Sequence, residues 1–193
     1  MNWTLLLEQT LNGFQFGILL FLLAAGLTLI FGIMDLINLA HGSLYMMGAY
    51  FAATLTKWTG SFLLGAILAI PACMAFGMIV EMIALRTLYT RNHLDQVLAT
   101  FGLILFFNEF VRLLWGPIGL DIPLPDVLNG SVELFLGIHY PAFRLVIIAV
   151  GILVAFLLYL LVSRTKLGML IRDGASNRQM ISALGVNLSI IHI

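Results

Sequence analysis

The sequence predicts an all-α integral membrane protein, a polytopic bundle of about five transmembrane helices with one interrupted helix and a cytoplasmic helix near its end. Three observations predict this class. The 193 residues are 62% hydrophobic and only 9% charged, whereas a soluble domain is about a quarter charged. Long charge-free gaps each approach the ~20 residues that cross a bilayer. A polar cluster, "GIMDLINLAHGS" (Gly32 to Ser43), then falls between two apolar runs. Nine basic and nine acidic residues cancel, so no global basic field argues for a nucleic-acid partner.

The gaps define the spans. Gln9 to Met34, Leu36 to Thr56, Trp58 to Val80 and Leu145 to Ser163 carry no Asp, Glu, Lys or Arg. Leu94 to Trp115 is also apolar but holds Asn108, Glu109 and Arg112. Glu109 and Arg112 are three apart and share a helix face, so they can pair. They serve either as an interfacial ion pair beside Trp115, itself an interfacial anchor, or as part of a polar path. The first residues, "MNWTLLLEQ", have no Lys or Arg, so they do not resemble the positive start of a signal peptide.

Basic residues orient the spans. The link "RTLYTRNH" holds Arg86 and Arg91, and the tail holds Arg164, Lys166, Arg172 and Arg178. The long link between them, Gly116 to Pro141, holds Asp121, Asp126 and Glu133 and no basic residue. The positive-inside rule makes the basic segments cytoplasmic and the long link external. Counting back places the N-terminus outside. Within the long link, Pro117, Pro123 and Pro125 exclude a regular helix. Asn129-Gly130 between apolar stretches then signals a hairpin turn, so a small β-flap is expected there.

Smaller features read as packing. Gly13 and Gly17 form a G-x-x-x-G, and Gly42 and Gly48 offer further small faces for close helix approach. Pro71 is expected to kink the third span. Cys73, the sole cysteine, reads as a small buried hydrophobe. The nine methionines are scattered, and no fixed-period repeat or low-complexity segment occurs.

The cluster Gly32 to Ser43 poses the functional question. Hydrocarbon offers backbone groups no partner, so a break in a helix survives only against protein or a water-filled cavity. Asp35, Asn38 and His41 recur every three residues; on a helix they would share one face, turned to the bundle interior. The stretch is either a short solvated connection between spans or a discontinuous helix beside a translocation path. His41 and Ser43 do not form a hydrolytic pair, since residues two apart point about 200° apart around a helix.

The tail has its own helix signal. Ser176 precedes Gln179 by three, a capping-box spacing, and Gly185 suits the position after a helix end. A helix is expected over about Asn177 to Leu184. Met180, Ile181 and Leu184 would share its apolar side, with Arg178 and Gln179 keeping the rest polar. Such a helix is either a solvated loop element or a dock for a soluble partner.

Three ordered landmarks carry a resemblance. "GLTLIFGIMDLINLAHGSLYMMGAY" (Gly26 to Tyr50), "LDQVLATFGLILFFNEFVRLLWGP" (Leu94 to Pro117) and "RTKLGMLIRDGASNRQMISALGVN" (Arg164 to Asn187) together resemble branched-chain amino acid ABC importer permeases of the LivH type. The resemblance implies one permease transmembrane domain over residues 1–193, incomplete at its C-terminus, with a cytoplasmic coupling segment at 164–187. It implies a heterodimer with a second related permease, two cytoplasmic ATP-binding subunits, a periplasmic substrate-binding protein, an amino-acid substrate, and a place in the lipid bilayer of the bacterial inner membrane. It makes Asp35, Asn38 and His41 candidates beside the translocation path. Arg178, Met180, Ile181, Leu184 and Gly185 become the contact with the ATPase. No cofactor is implied. The chain lacks a G-x-x-x-x-G-K-[ST] phosphate loop, so it is expected to be no enzyme, with ATP hydrolysis in a separate subunit. Permeases of the family are about half as long again, and this chain reads as their N-terminal part. Urea, short amides or other amino acids remain alternative substrates. An ion-coupled secondary transporter using Asp35, and a scaffold that transports nothing, remain alternative classes.

Overall fold

The structure, a computed structural model, describes residues 3–34, 36–134, 139–166, 168, 169 and 172. The apolar gaps become helices: α1 over Trp3–Met34, α2 over His41–Thr59, α3 over Phe62–Val80, α4 over His93–Trp115 and α5 over Ala142–Arg164. Pro71 lies inside α3 without ending it. A wide π-helical turn over Glu81–Leu85 and a 3-10 turn over Arg86–Leu88 carry that helix into the basic link.

Among the described residues, four segments are long and apolar enough to cross a membrane: Trp3–Phe31, Phe62–Leu88, His93–Trp115 and Ala142–Arg164. About five spans are expected from the sequence; α2, a helix of 19 residues that rises about 28 Å at 1.5 Å per residue, is not among these four. α2 is the least apolar of the five because it carries Ser43, Thr54, Thr56 and Lys57. It buries Ser43, Met47, Ala53 and Thr56, which is how a membrane helix keeps hydroxyls away from lipid. α1 shows the opposite pattern, exposing Phe14, Phe16, Phe21 and Phe31. Hydrocarbon is the solvent that suits such a surface.

The described residues fall into two compact units. The first draws on Met1–Gly26 and Leu124–Asp173. Here strands β1 (Ser131–Glu133) and β2 (His139–Pro141) pair antiparallel, with Val132 opposite Tyr140. The expected flap therefore exists, but Asn129-Gly130 is not its turn. The Asn129 amide closes a turn onto the Pro125 carbonyl at 3.1 Å, and Gly130 accepts from the Ala142 amide at 2.9 Å. The pair leads into β1, so the reversal falls later than the sequence signal suggests. Tyr140, 2% exposed, donates its hydroxyl to Asn12 Oδ1 of α1 at 3.1 Å, and Arg144 Nη1 donates to the same oxygen. Further along, Gly151 of α5 lies against Ile18 and Leu22 of α1. The contacts advance together along both helices, so α1 runs parallel to α5 in this unit.

Asn12→Leu removes the acceptor shared by Tyr140 and Arg144. We expect it to cost about 1–3 kcal/mol, the usual consequence of stranding one buried donor, here the Tyr140 hydroxyl, read as a lower melting temperature of the detergent-purified protein. An unchanged melting temperature rejects Asn12 as the joint between α1 and the flap.

The second unit draws on Leu27–Pro123. α2 and α3 form a tight antiparallel hairpin. It turns at Gly60, whose φ of +66° is the left-handed conformation glycine adopts freely. Cys73 Sγ packs over Gly48, but the residue is half-buried, less enclosed than the sequence suggests. The core joins Leu36, Met47, Val80, Leu85, Phe107 and Val111. Phe76 bridges it edge-on, 5.4 Å from Phe51 and 5.6 Å from Phe107. At the far end of α2, Trp115 Nε1 donates to Thr54 Oγ1 at 2.8 Å and its ring tilts against Tyr50 at 5.1 Å. Trp115 is thus fastened to the bundle as well as placed to anchor an interface.

Candidate functional site

α1 ends at Met34 and α2 begins at His41. Residues 36–38 have no regular structure, and 39–40 turn. The chain therefore breaks between two helices, which fits both a short connection between spans and a discontinuous helix. The single polar face imagined for Asp35, Asn38 and His41 is not formed, because the chain is not helical at Asn38. The reason is local. Asn38 is 1% exposed, and its Oδ1 accepts the Ala40 amide at 3.0 Å. This short side-chain-to-backbone bond competes with helix continuation. The Ala40 carbonyl then accepts the Ser43 and Leu44 amides at 2.9 and 3.1 Å and starts α2. His41 is half-buried in the first turn of α2. Asp35 lies outside the described residues.

The break, residues 36–40, is held by α4. Gln96 is 3% exposed and uses its whole amide. Its Oε1 accepts the Ile37 amide at 3.2 Å and sits 3.3 Å from His93 Nδ1. Its Nε2 donates to the Leu88 and Arg91 carbonyls, both at 3.2 Å. One turn later Thr100, fully buried, donates to the Gln96 carbonyl at 2.8 Å, with the Ile37 carbonyl at 3.4 Å. Hydrophobic contact completes the seat, since Leu36 is 0% exposed and joins the core. These polar groups give the buried, non-helical backbone of the break its hydrogen-bond partners.

A cavity of about 360 Å³ opens beside the break. Leu27, Thr28 and Phe31 of α1 line it on one side and Leu36 to Leu39 on the other. Its wall is mostly apolar, with Thr28 and Asn38 as the polar side chains. Such a lining suits a small aliphatic group better than an ion.

Gln96 and Thr100 are the residues the sequence reading missed. A signal existed: two polar side chains four apart, on one face of an otherwise apolar run. The other candidates resolve simply. Arg112 Nη1 and Glu109 Oε1 pair at 3.2 Å with both side chains well exposed. His41 and Ser43 both lie in the first turn of α2, where their spacing turns them apart. Arg178, Met180, Ile181, Leu184 and Gly185 lie outside the described residues.

Comparison with known proteins gives this geometry a context. The family described as "Branched-chain amino acid transport system / permease component" matches residues 9–193. The chain is 33% identical to the high-affinity branched-chain amino acid transport system permease protein BraD of Pseudomonas aeruginosa, over 94% of this chain and 62% of the relative. It is 30% identical to the corresponding permease protein LivH of Escherichia coli K12, with the same coverage. A probable branched-chain amino acid transport permease protein of Methanocaldococcus jannaschii is 31% identical, over 88% of this chain and 55% of the relative. The chain thus spans about three fifths of the length of the curated relatives it matches. No solved structure matches it. The interrupted apolar bundle and a match over nearly every residue agree: the chain belongs to the permease-component family of branched-chain amino acid transport systems.

Proposed function

We propose that these residues are part of the permease subunit of an ATP-driven importer that moves leucine, isoleucine and valine across the bacterial inner membrane. The single observation that carries the reading is the family match over residues 9–193. Its relatives are named as permeases for that substrate class. The mostly apolar cavity beside the break adds support, because its lining suits a small aliphatic group. In this reading a second related permease completes the path, two ATP-binding subunits drive it from the cytoplasm, and a periplasmic binding protein delivers the substrate.

The proposed orientation has support within each unit. In the first, α1 runs parallel to α5, and α5 leads into Arg164, Lys166 and Arg172. The start of α1 therefore belongs at the end away from this basic tail, which supports an external N-terminus. In the second, Gln96 brings the break and the basic link of Arg86 and Arg91 to one end, the cytoplasmic one.

Uptake of radiolabelled leucine by cells carrying the permease with its ATP-binding and binding-protein partners tests the proposal. Uptake should persist when the proton gradient is collapsed and stop when the ATPase is inactivated. The opposite pattern makes the protein an ion-coupled transporter. Uptake of neither kind, with the protein in the membrane, rejects transport of this substrate.

A further inference from the structure

The carboxamide of Gln96 joins two stretches of backbone that sequence keeps far apart. On one side is Ile37 in the break, and on the other are Leu88 and Arg91 in the basic link. We infer that Gln96 is a positioning residue that ties the break to the basic link, so that the two segments hold a fixed register and shift together. Three features point this way. The side chain is 3% exposed, so water does not substitute for its partners. Both donors are engaged, and Oε1 has the Ile37 amide and, at 3.3 Å, His93 Nδ1 beside its two lone pairs, so the amide is fully occupied. The Leu88 carbonyl also accepts the Arg91 amide at 3.0 Å, so the bond from Gln96 reinforces the turn that shapes the link.

No apolar side chain can do this. Leucine would fill similar volume but leave the Ile37 amide without its acceptor and two carbonyls without this donor. Thr100, though buried beside Gln96, is a useful contrast. Its hydroxyl reaches the Ile37 carbonyl and the backbone of α4 but nothing in the link. For the permease reading, on which its significance rests, the tie means that a push on the cytoplasmic link is felt at the wall of the cavity, since Leu36 to Leu39 form that wall.

Amide hydrogen exchange by mass spectrometry on the full chain in nanodiscs tests the inference without any transport assay. With Gln96→Leu, peptides covering 36–44 and 86–92 should both exchange faster, on the order of tenfold, as expected for loss of a buried hydrogen bond. Peptides from the α2–α3 hairpin, 49–70, should not change. Thr100→Val should leave the link peptide at its wild-type rate. Faster exchange across the hairpin as well would show a merely structural role and overturn the inference. So would release of only one of the two segments, release of neither, or an equal effect of Thr100→Val on the link. The outcome is separable from the transport reading: paired release in a protein that takes up no leucine leaves the tie standing and rejects the permease function proposed above.

Discussion

Gly65→Val is expected to disrupt the α2–α3 hairpin and to be the most damaging single change in the second unit. A Cβ built on Gly65 would lie 2.6 Å from both the Cα and the N of Thr56, closer than carbon atoms approach in folded proteins. The obstacle is backbone, so no side-chain rotation relieves it. Thr56 is itself 3% exposed, and the turn at Gly60 leaves the two helices little freedom to separate. Overpacking of this kind costs about 3 kcal/mol at the upper end of the usual range, which corresponds to a fall in melting temperature of roughly 6–12 °C for a chain of this length. Gly77→Val, on the same helix but with no neighbouring element within 4 Å of the added Cβ, should melt like the wild type. Gly48→Ala should fall between them. Its Cβ meets only the Cys73 Sγ at 3.3 Å, a side-chain end that can yield, and Cys73→Ala should relieve it. Thermal unfolding of the three variants in one detergent reads this order directly. Equal melting of Gly65→Val and Gly77→Val would mean that the helices do not cross at Thr56.

The reason for this sensitivity shows what was legible in the sequence. Apolar gaps revealed α1, α3, α4 and α5 because crossing hydrocarbon forces a composition that nothing else mimics. The break was legible too, as a cluster of polar residues bracketed by Gly32 and Gly42. Its geometry was not. Extrapolating a helical spacing through Asp35, Asn38 and His41 assumed the conformation that Asn38 itself interrupts by bonding the Ala40 amide. The Asn129-Gly130 signal failed in a related way. It marks a real turn, but that turn ends at β1 instead of joining β1 to β2. Gln96 was hidden for a different reason. Its partners Ile37, Leu88 and Arg91 meet only after folding, and Gln96 and Ile37 are 59 residues apart. Gly65 likewise looked like any small residue in a membrane helix until Thr56 was found against it.

The second large effect concerns the tail. Leu184→Asp is expected to release the ATP-binding subunit and abolish ATP-dependent uptake, with the protein still inserted in the membrane. Over the expected helix Asn177 to Leu184, positions 180, 181 and 184 fall within one arc, since residues three and four apart are neighbours. They are Met, Ile and Leu, whereas Arg178 and Gln179 lie off that arc. An apolar strip on an otherwise polar helix suits a groove on a soluble partner. An aspartate in its centre would have to be buried without a counter-charge, at a cost of several kcal/mol. Each 1.4 kcal/mol is tenfold in affinity, so retention of the ATPase in a pull-down should drop by a factor of about a hundred or more. Gln179→Asp adds the same charge off the strip and should retain the ATPase. Leu184→Met keeps the strip apolar and should do likewise. Normal retention by Leu184→Asp would move the coupling contact elsewhere on the cytoplasmic face. The basic link held by Gln96 would then be the next segment to test, because it presents Arg86 and Arg91 at the same end as the break.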